Sequence, residues 1–64
     1  MRYYDVAVID TPTVFTYQSD KNFTTGDVVK IPLKNKILNG YVIKETSKPH
    51  FECKDIIEKV YEFD

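Results

Sequence analysis

The stretch Gly26-Asp27-Val28-Val29-Lys30-Ile31-Pro32-Leu33 decides the fold class. Gly26 supplies the positive φ of a tight turn. From Val28 onward the side chains alternate, with Val29, Ile31 and Leu33 on one face and Val28 and Lys30 on the other, which is the period of a β-strand. Pro32 has no N–H to give to a ladder, so this strand is expected at an edge or at a bulge.

Working outward, Lys34-Asn35-Lys36 is a short basic connector, and Ile37 to Glu45 forms the partner strand of a hairpin. Gly40 inside that run marks a bulge or a close approach of two backbones. Upstream, Thr24 to Asp27 and Ser19 to Asn22 read as turns or loops. The run Thr13-Val14-Phe15-Thr16-Tyr17 is nearly all β-branched or aromatic, which suits a pleated surface. The first run, Tyr3 to Ile9, ends at Asp10-Thr11-Pro12, where proline pushes the preceding residue to extended geometry.

Downstream, a polar loop from Thr46 to His50 leads to the last run, Cys53 to Phe63, which supports two readings. Ile56, Ile57, Val60 and Tyr61 against Asp55, Glu58, Lys59 and Glu62 make a short amphipathic helix. As a strand the same run puts Ile57, Tyr61 and Phe63 on one face, with Lys59 among them. Antiparallel strands in so short a chain manage their edges most simply by curling up. The expected class is therefore mainly all-β, a small OB-like or SH3-like antiparallel barrel, with residues 1–64 as one unit.

Composition bounds the function. The chain has 64 residues, and 9 basic against 10 acidic side chains give a net charge of -1 with the histidine neutral. A domain of this size buries only about 60% of its unfolded surface, which favours a binding module over an enzyme with its own cleft and substrate subdomain. Hydrophobic residues at 42% and charged residues at 30% are a globular mixture, and nine aromatics, five Tyr and four Phe, add buried area. Cys53 is the sole cysteine, so no intrachain disulfide forms and a reducing compartment is expected. No run approaches the ~20 apolar residues of a membrane span, and the stretch Met1 to Asp5 has no apolar run of signal length. A cytoplasmic protein with no membrane partner is the expectation.

Catalytic constellations are scarce. His50 and Cys53 lie three residues apart but have no orienting partner in sequence, and one Cys with one His does not make a structural zinc site. Gly26 and Gly40, the two glycines, make no phosphate-binding loop. The ten carboxylates are spread along the chain as a solvated surface. No catalytic residue, metal ligand or cofactor is expected in this chain. Lysines interleave with aromatics more suggestively: Lys34, Lys36, Lys44, Lys48 and Lys54 accompany Phe15, Tyr17, Tyr41 and Phe51. Nucleic-acid modules use this mixture, aromatics stacking on bases and lysines neutralising phosphates. A net charge of -1 argues against a long groove that tracks a backbone.

Five segments in order carry a resemblance: Tyr4 to Val8 as the initial strand, Val14-Phe15-Thr16-Tyr17, Thr25 to Leu33, Asn39-Gly40-Tyr41-Val42-Ile43, and Cys53-Lys54-Asp55-Ile56-Ile57-Glu58. Together they resemble the N-terminal three-prime-terminus-binding domain of the PriA family (primosomal protein N-prime), bacterial replication restart helicases. The resemblance favours the strand reading of Cys53 to Phe63. It implies a domain from the N-terminus of a longer helicase that captures the 3′ end of the nascent leading strand at a stalled fork. ATP and zinc are expected in the parent protein and not in this chain. The implied partners are DNA with a 3′ end at a fork, the remaining helicase domains, other primosome proteins and single-strand DNA-binding protein, in a cytoplasmic, nucleoid-associated setting.

In that family an aromatic, an adjacent acidic residue, a glycine of the following hairpin and a late lysine form a pocket for the terminal nucleotide. Carried over by position, the aromatic is Phe15 and the late lysine is Lys54. Two positions depart: Thr16 stands where the acidic residue would be, and Lys34 stands where the glycine would be. A hydroxyl still accepts a hydrogen bond, though more weakly than a carboxylate. Lys34 either gains a phosphate contact or blocks the pocket. The rival reading is an SH3-like or KOW-like protein-interaction module, motivated by the generic barrel start Gly26 to Ile31. A purely structural barrel domain of a larger enzyme is the third.

Overall fold

The computed structural model describes residues 1–61. Five strands, β1 (Arg2–Val8), β2 (Val14–Ser19), β3 (Val28–Leu33), β4 (Lys36–Thr46) and β5 (Glu58–Lys59), form one sheet in the order β2-β1-β4-β3-β5. Every neighbouring strand pair is antiparallel. The first four strands fall within two residues of the runs read from sequence, because each is bounded by turn chemistry that stops it. β3 and β4 form the expected hairpin, with Leu33 opposite Lys36 across a two-residue loop.

The last run, Cys53 to Phe63, is neither the amphipathic helix nor one continuous strand; its last two positions, 62 and 63, lie outside the described residues. Only Glu58 and Lys59 pair as strand, while Asp55 makes a single parallel bridge with Gln18. The reason is a change of partner. The Gln18 N–H donates to the Lys54 carbonyl at 3.0 Å and the Ile56 N–H donates to the Gln18 carbonyl at 2.9 Å, both on the free side of β2. One residue later the Ile57 N–H donates to the Lys30 carbonyl at 2.8 Å, and the Val60 N–H reaches the Val28 carbonyl at 2.8 Å, both on β3. An extended chain turns successive N–H groups to opposite sides. This segment therefore lies between β2 and β3 and closes the sheet into a small barrel.

The interior fills with the inward residues of each strand: Tyr4, Val6 and Val8 of β1, Tyr17 of β2, Val29 and Ile31 of β3, Val42 of β4, and Ile56 of the closing segment. Phe23 packs edge-on against Tyr4, with ring centroids 5.4 Å apart. The Tyr4 hydroxyl donates to the Lys21 carbonyl at 3.0 Å and accepts from the Phe23 N–H at 3.1 Å, so one buried phenol holds the loop after β2. Gly26 turns the chain into β3 with a φ of 96°.

The expected irregularity in β4 divides into two features. The bulge falls at Ile43, the residue skipped as the register passes from Asp5 opposite Lys44 to Val6 opposite Val42. Gly40 is the close approach: a Cβ there would lie 2.6 Å from Val6 Cγ1 and 2.8 Å from the Ala7 carbonyl oxygen. Neither neighbour yields easily, since one is core and the other is backbone. Gly40→Ala should therefore destabilise the fold by about 1 to 3 kcal/mol, the usual overpacking cost. Denaturant unfolding checks it, and an unchanged midpoint would show that the β1–β4 contact has slack.

Candidate nucleic-acid interface

The closing segment bridges β2 and β3 only as far as Gln18 and Lys30, and beyond those residues the two edges separate. Among the described residues one side-chain bond spans this gap, the Tyr17 hydroxyl donating to the Pro32 carbonyl at 2.9 Å. Val28 and Lys30 already send their carbonyls to this side. Pro32 has the same parity, so its missing N–H costs no ladder bond and its carbonyl is free for Tyr17. Proline at the edge, as the sequence suggests, is thus what makes the tie. Burial pushes the Tyr17 hydroxyl above its ordinary range, which keeps it a neutral donor.

Over this tie opens a cavity of about 300 Å³ lined by Phe15 and Thr16 of β2, Pro32 to Lys34 of the hairpin, and Phe51, Glu52 and Lys54 of the last segment. All four residues singled out from sequence, Phe15, Thr16, Lys34 and Lys54, stand on its wall, although they come from three separate parts of the chain.

Each is held by a different device. Phe15 shares a strand face with Tyr17 and Ser19, which are 3% and 7% exposed, but sits at the barrel rim and is 38% exposed. Its ring is anchored by β2 and still open to a ligand. Thr16 lies opposite Asp5 on β1, and its hydroxyl donates to Asp5 Oδ1 at 2.9 Å. With its proton so committed, Thr16 Oγ1 offers lone pairs to any further partner. Lys54 is pinned through its carbonyl by Gln18, and its side chain is exposed.

Lys34 is the first residue of the two-residue hairpin loop and has a φ of 56°. Both turns that fit such a loop require positive φ at this position, which glycine adopts without strain. The lysine therefore differs from the glycine implied by the resemblance in strain as well as in charge.

Phe51 and Glu52 also line the cavity, and sequence reading does not place them there. Phe51 is 61% exposed, a large aromatic ring on a loop with no core to enter. Interleaving with Lys48 and Lys54 was its one signal. Two lysines against one carboxylate leave the mouth with a local excess of one positive charge. Neither Lys34 nor Lys54 forms an ion pair among the described residues; Arg2–Glu45 and Lys59–Asp27 do. The lysines are free to meet an anion. Burial pushes the Cys53 thiol up, which disfavours the thiolate a nucleophile needs. No three of His, Cys, Asp and Glu gather as metal ligands among the described residues, and no described helix is long and apolar enough to cross a membrane.

Comparison with known proteins fits this geometry. A family described as "3'DNA-binding domain (3'BD)", of PriA, matches residues 5–63. The replication restart protein PriA of two Helicobacter pylori strains is 40% identical to this chain over 62 residues, 95% of the chain. Those residues are 10% of that protein, so the chain spans about a tenth of the length of the relatives it matches. No solved structure matches the chain.

The left-handed lysine yields a stability test. Lys34→Gly should be more stable than Lys34→Ala by about 1 kcal/mol, because alanine keeps the Cβ that a left-handed backbone disfavours. Paired denaturant melts measure this, and equal midpoints would remove strain from the description of the hairpin.

Proposed function

The chain belongs to the 3'DNA-binding domain family of PriA, and on that premise we propose that the mouth between β2 and β3 captures the 3′ end of a DNA strand. The observation that carries this reading is the convergence of Phe15, Thr16, Lys34 and Lys54 on one cavity. A volume of about 300 Å³ is at the small end of ligand pockets, the scale of one nucleotide and not of a duplex. Phe15 stacks on the terminal base. Lys54, with Lys34 at the opposite rim, meets the last phosphate. Thr16 accepts the proton of the terminal hydroxyl, its own proton being held by Asp5.

This mode needs one stacked base, one or two phosphate contacts and one hydrogen bond, so a chain of net charge -1 suffices. It also explains the demand for an end. A strand that continued past the terminal sugar would bring a further phosphate, with no proton to give, against Thr16 and Glu52. A neutral hydroxyl acceptor is weaker than a carboxylate, so discrimination here is milder than an acidic residue at position 16 would give.

In the same reading the chain is the targeting domain of a longer replication restart helicase. It directs that enzyme to the nascent leading strand at stalled forks, in the cytoplasm and on the nucleoid. ATP hydrolysis and zinc binding belong to other parts of the parent chain, whose remaining domains, other primosome proteins and single-strand DNA-binding protein are the partners.

The deciding experiment is fluorescence anisotropy of single strands and forked duplexes ending in a 3′ hydroxyl against the same molecules ending in a 3′ phosphate. The hydroxyl end should bind more tightly, and Phe15→Ala should cost about 1 to 3 kcal/mol of that affinity. Equal binding of the two ends would replace end capture by a general single-strand contact. No binding to either would favour a protein-partner module. A salt titration isolates the phosphate contact: Lys54→Ala should flatten the slope of log affinity against log salt by about 0.7, the share of one single-strand phosphate. A slope equal to the parent's would take Lys54 out of the site.

A further inference from the structure

On the other side of Phe51 and Glu52 lies a second cleft, of about 360 Å³, and these two residues line both. Its remaining lining includes Tyr3, Gln18, Lys48 and His50. We propose that the two clefts form one track, and that the second receives the nucleotide preceding the terminal one on the same DNA strand. The inference rests on the end-capture reading above and adds a site to it.

The chemistry of the second cleft is that of a single-strand subsite. Phe51, 61% exposed and common to both walls, is available to bases on either side. Lys48 and His50 are exposed, and Lys48 is in no ion pair among the described residues. The Gln18 amide nitrogen donates to Asp55 Oδ1 at 2.7 Å, which leaves its carbonyl oxygen as a free acceptor. Glu52 is the one carboxylate of this cleft, and it stands on the shared wall. A linking phosphate therefore runs on the lysine side. Two further clefts on the molecule, beside Lys21 and Phe23, do not suit a strand: one carries Asp20, Asp55 and Glu58, and neither shares a residue with the mouth.

Amide NMR shifts of the 64-residue chain test the track, with thymidine 5′-monophosphate and a thymidine tetranucleotide, both ending in a 3′ hydroxyl. Shifts of Phe15 and Lys54 with both ligands, and of Lys48 and His50 with the tetranucleotide alone, are the expected result. Lys48→Ala should then lower the affinity for the tetranucleotide about fivefold at 0.1 M salt, the factor that one neutralised single-strand phosphate supplies relative to 1 M salt. It should leave the mononucleotide unaffected. Shifts confined to Phe15 and Lys54, with an unchanged tetranucleotide affinity in Lys48→Ala, would overturn the second subsite while end capture stands. Failure of either ligand to shift Phe15 or Lys54 would overturn the end-capture reading, and the track with it.

Discussion

The rest of this molecule depends on the backbone hydrogen bonds that hold the segment from Lys54 to Val60 between β2 and β3. Without them the sheet would expose two free edges, a hazard that small β-domains must manage. The bonds also bring Ile56 into the core, where it is 7% exposed, so closure and burial reinforce each other. Because the segment arrives from the loop at Lys48 to Phe51 and first meets β2 at Gln18, the edges remain apart beyond that point. The mouth is the unclosed remainder of the barrel.

The tie that spans the mouth is uncharged. Tyr17 and Pro32 tie its two sides through a phenol that burial holds protonated. A charged tie would have attracted or repelled the phosphates of a ligand. An uncharged one leaves the electrostatics to Lys34, Lys54 and Glu52 at the rim. The same economy appears at Thr16, whose partner Asp5 stands behind it on β1. The Asp5 carboxylate orients the Thr16 hydroxyl from the neighbouring strand.

Much of the fold was legible in local chemistry. The alternation from Val28 to Leu33, the two-residue connector after it and Gly40 in the next run gave the β3–β4 hairpin, because each rule needs only neighbours in sequence. Pro32 named its own edge. The segment after Cys53 was not legible in that way. Its side chains carry a helical period, yet its backbone is extended because β2 and β3 offer it partners that no local pattern records. Lys59, awkward on a strand face, is accommodated by Asp27, 3.4 Å away on the turn before β3. At the site, the motif resemblance named Phe15, Thr16, Lys34 and Lys54, and the fold brings them to one cavity. Phe51 and Glu52 escaped because a loop residue's address depends on where its ends are fixed, here at Thr46 on β4 and at Lys54.

Closure by a segment some forty residues distant from β2 also makes the mouth a non-local feature. The β3–β4 and β1–β2 hairpins are local, whereas the pairings of Gln18 with Asp55 and of Val29 with Lys59, like that of β1 with β4, join distant parts of the chain and carry a loop-closure cost. Lys54, and with it the neighbouring Phe51, is placed by that seam. The mouth therefore shares its stability with the seam, and a bound strand end would act as a clasp on it, raising the stability of the closed barrel by mass action.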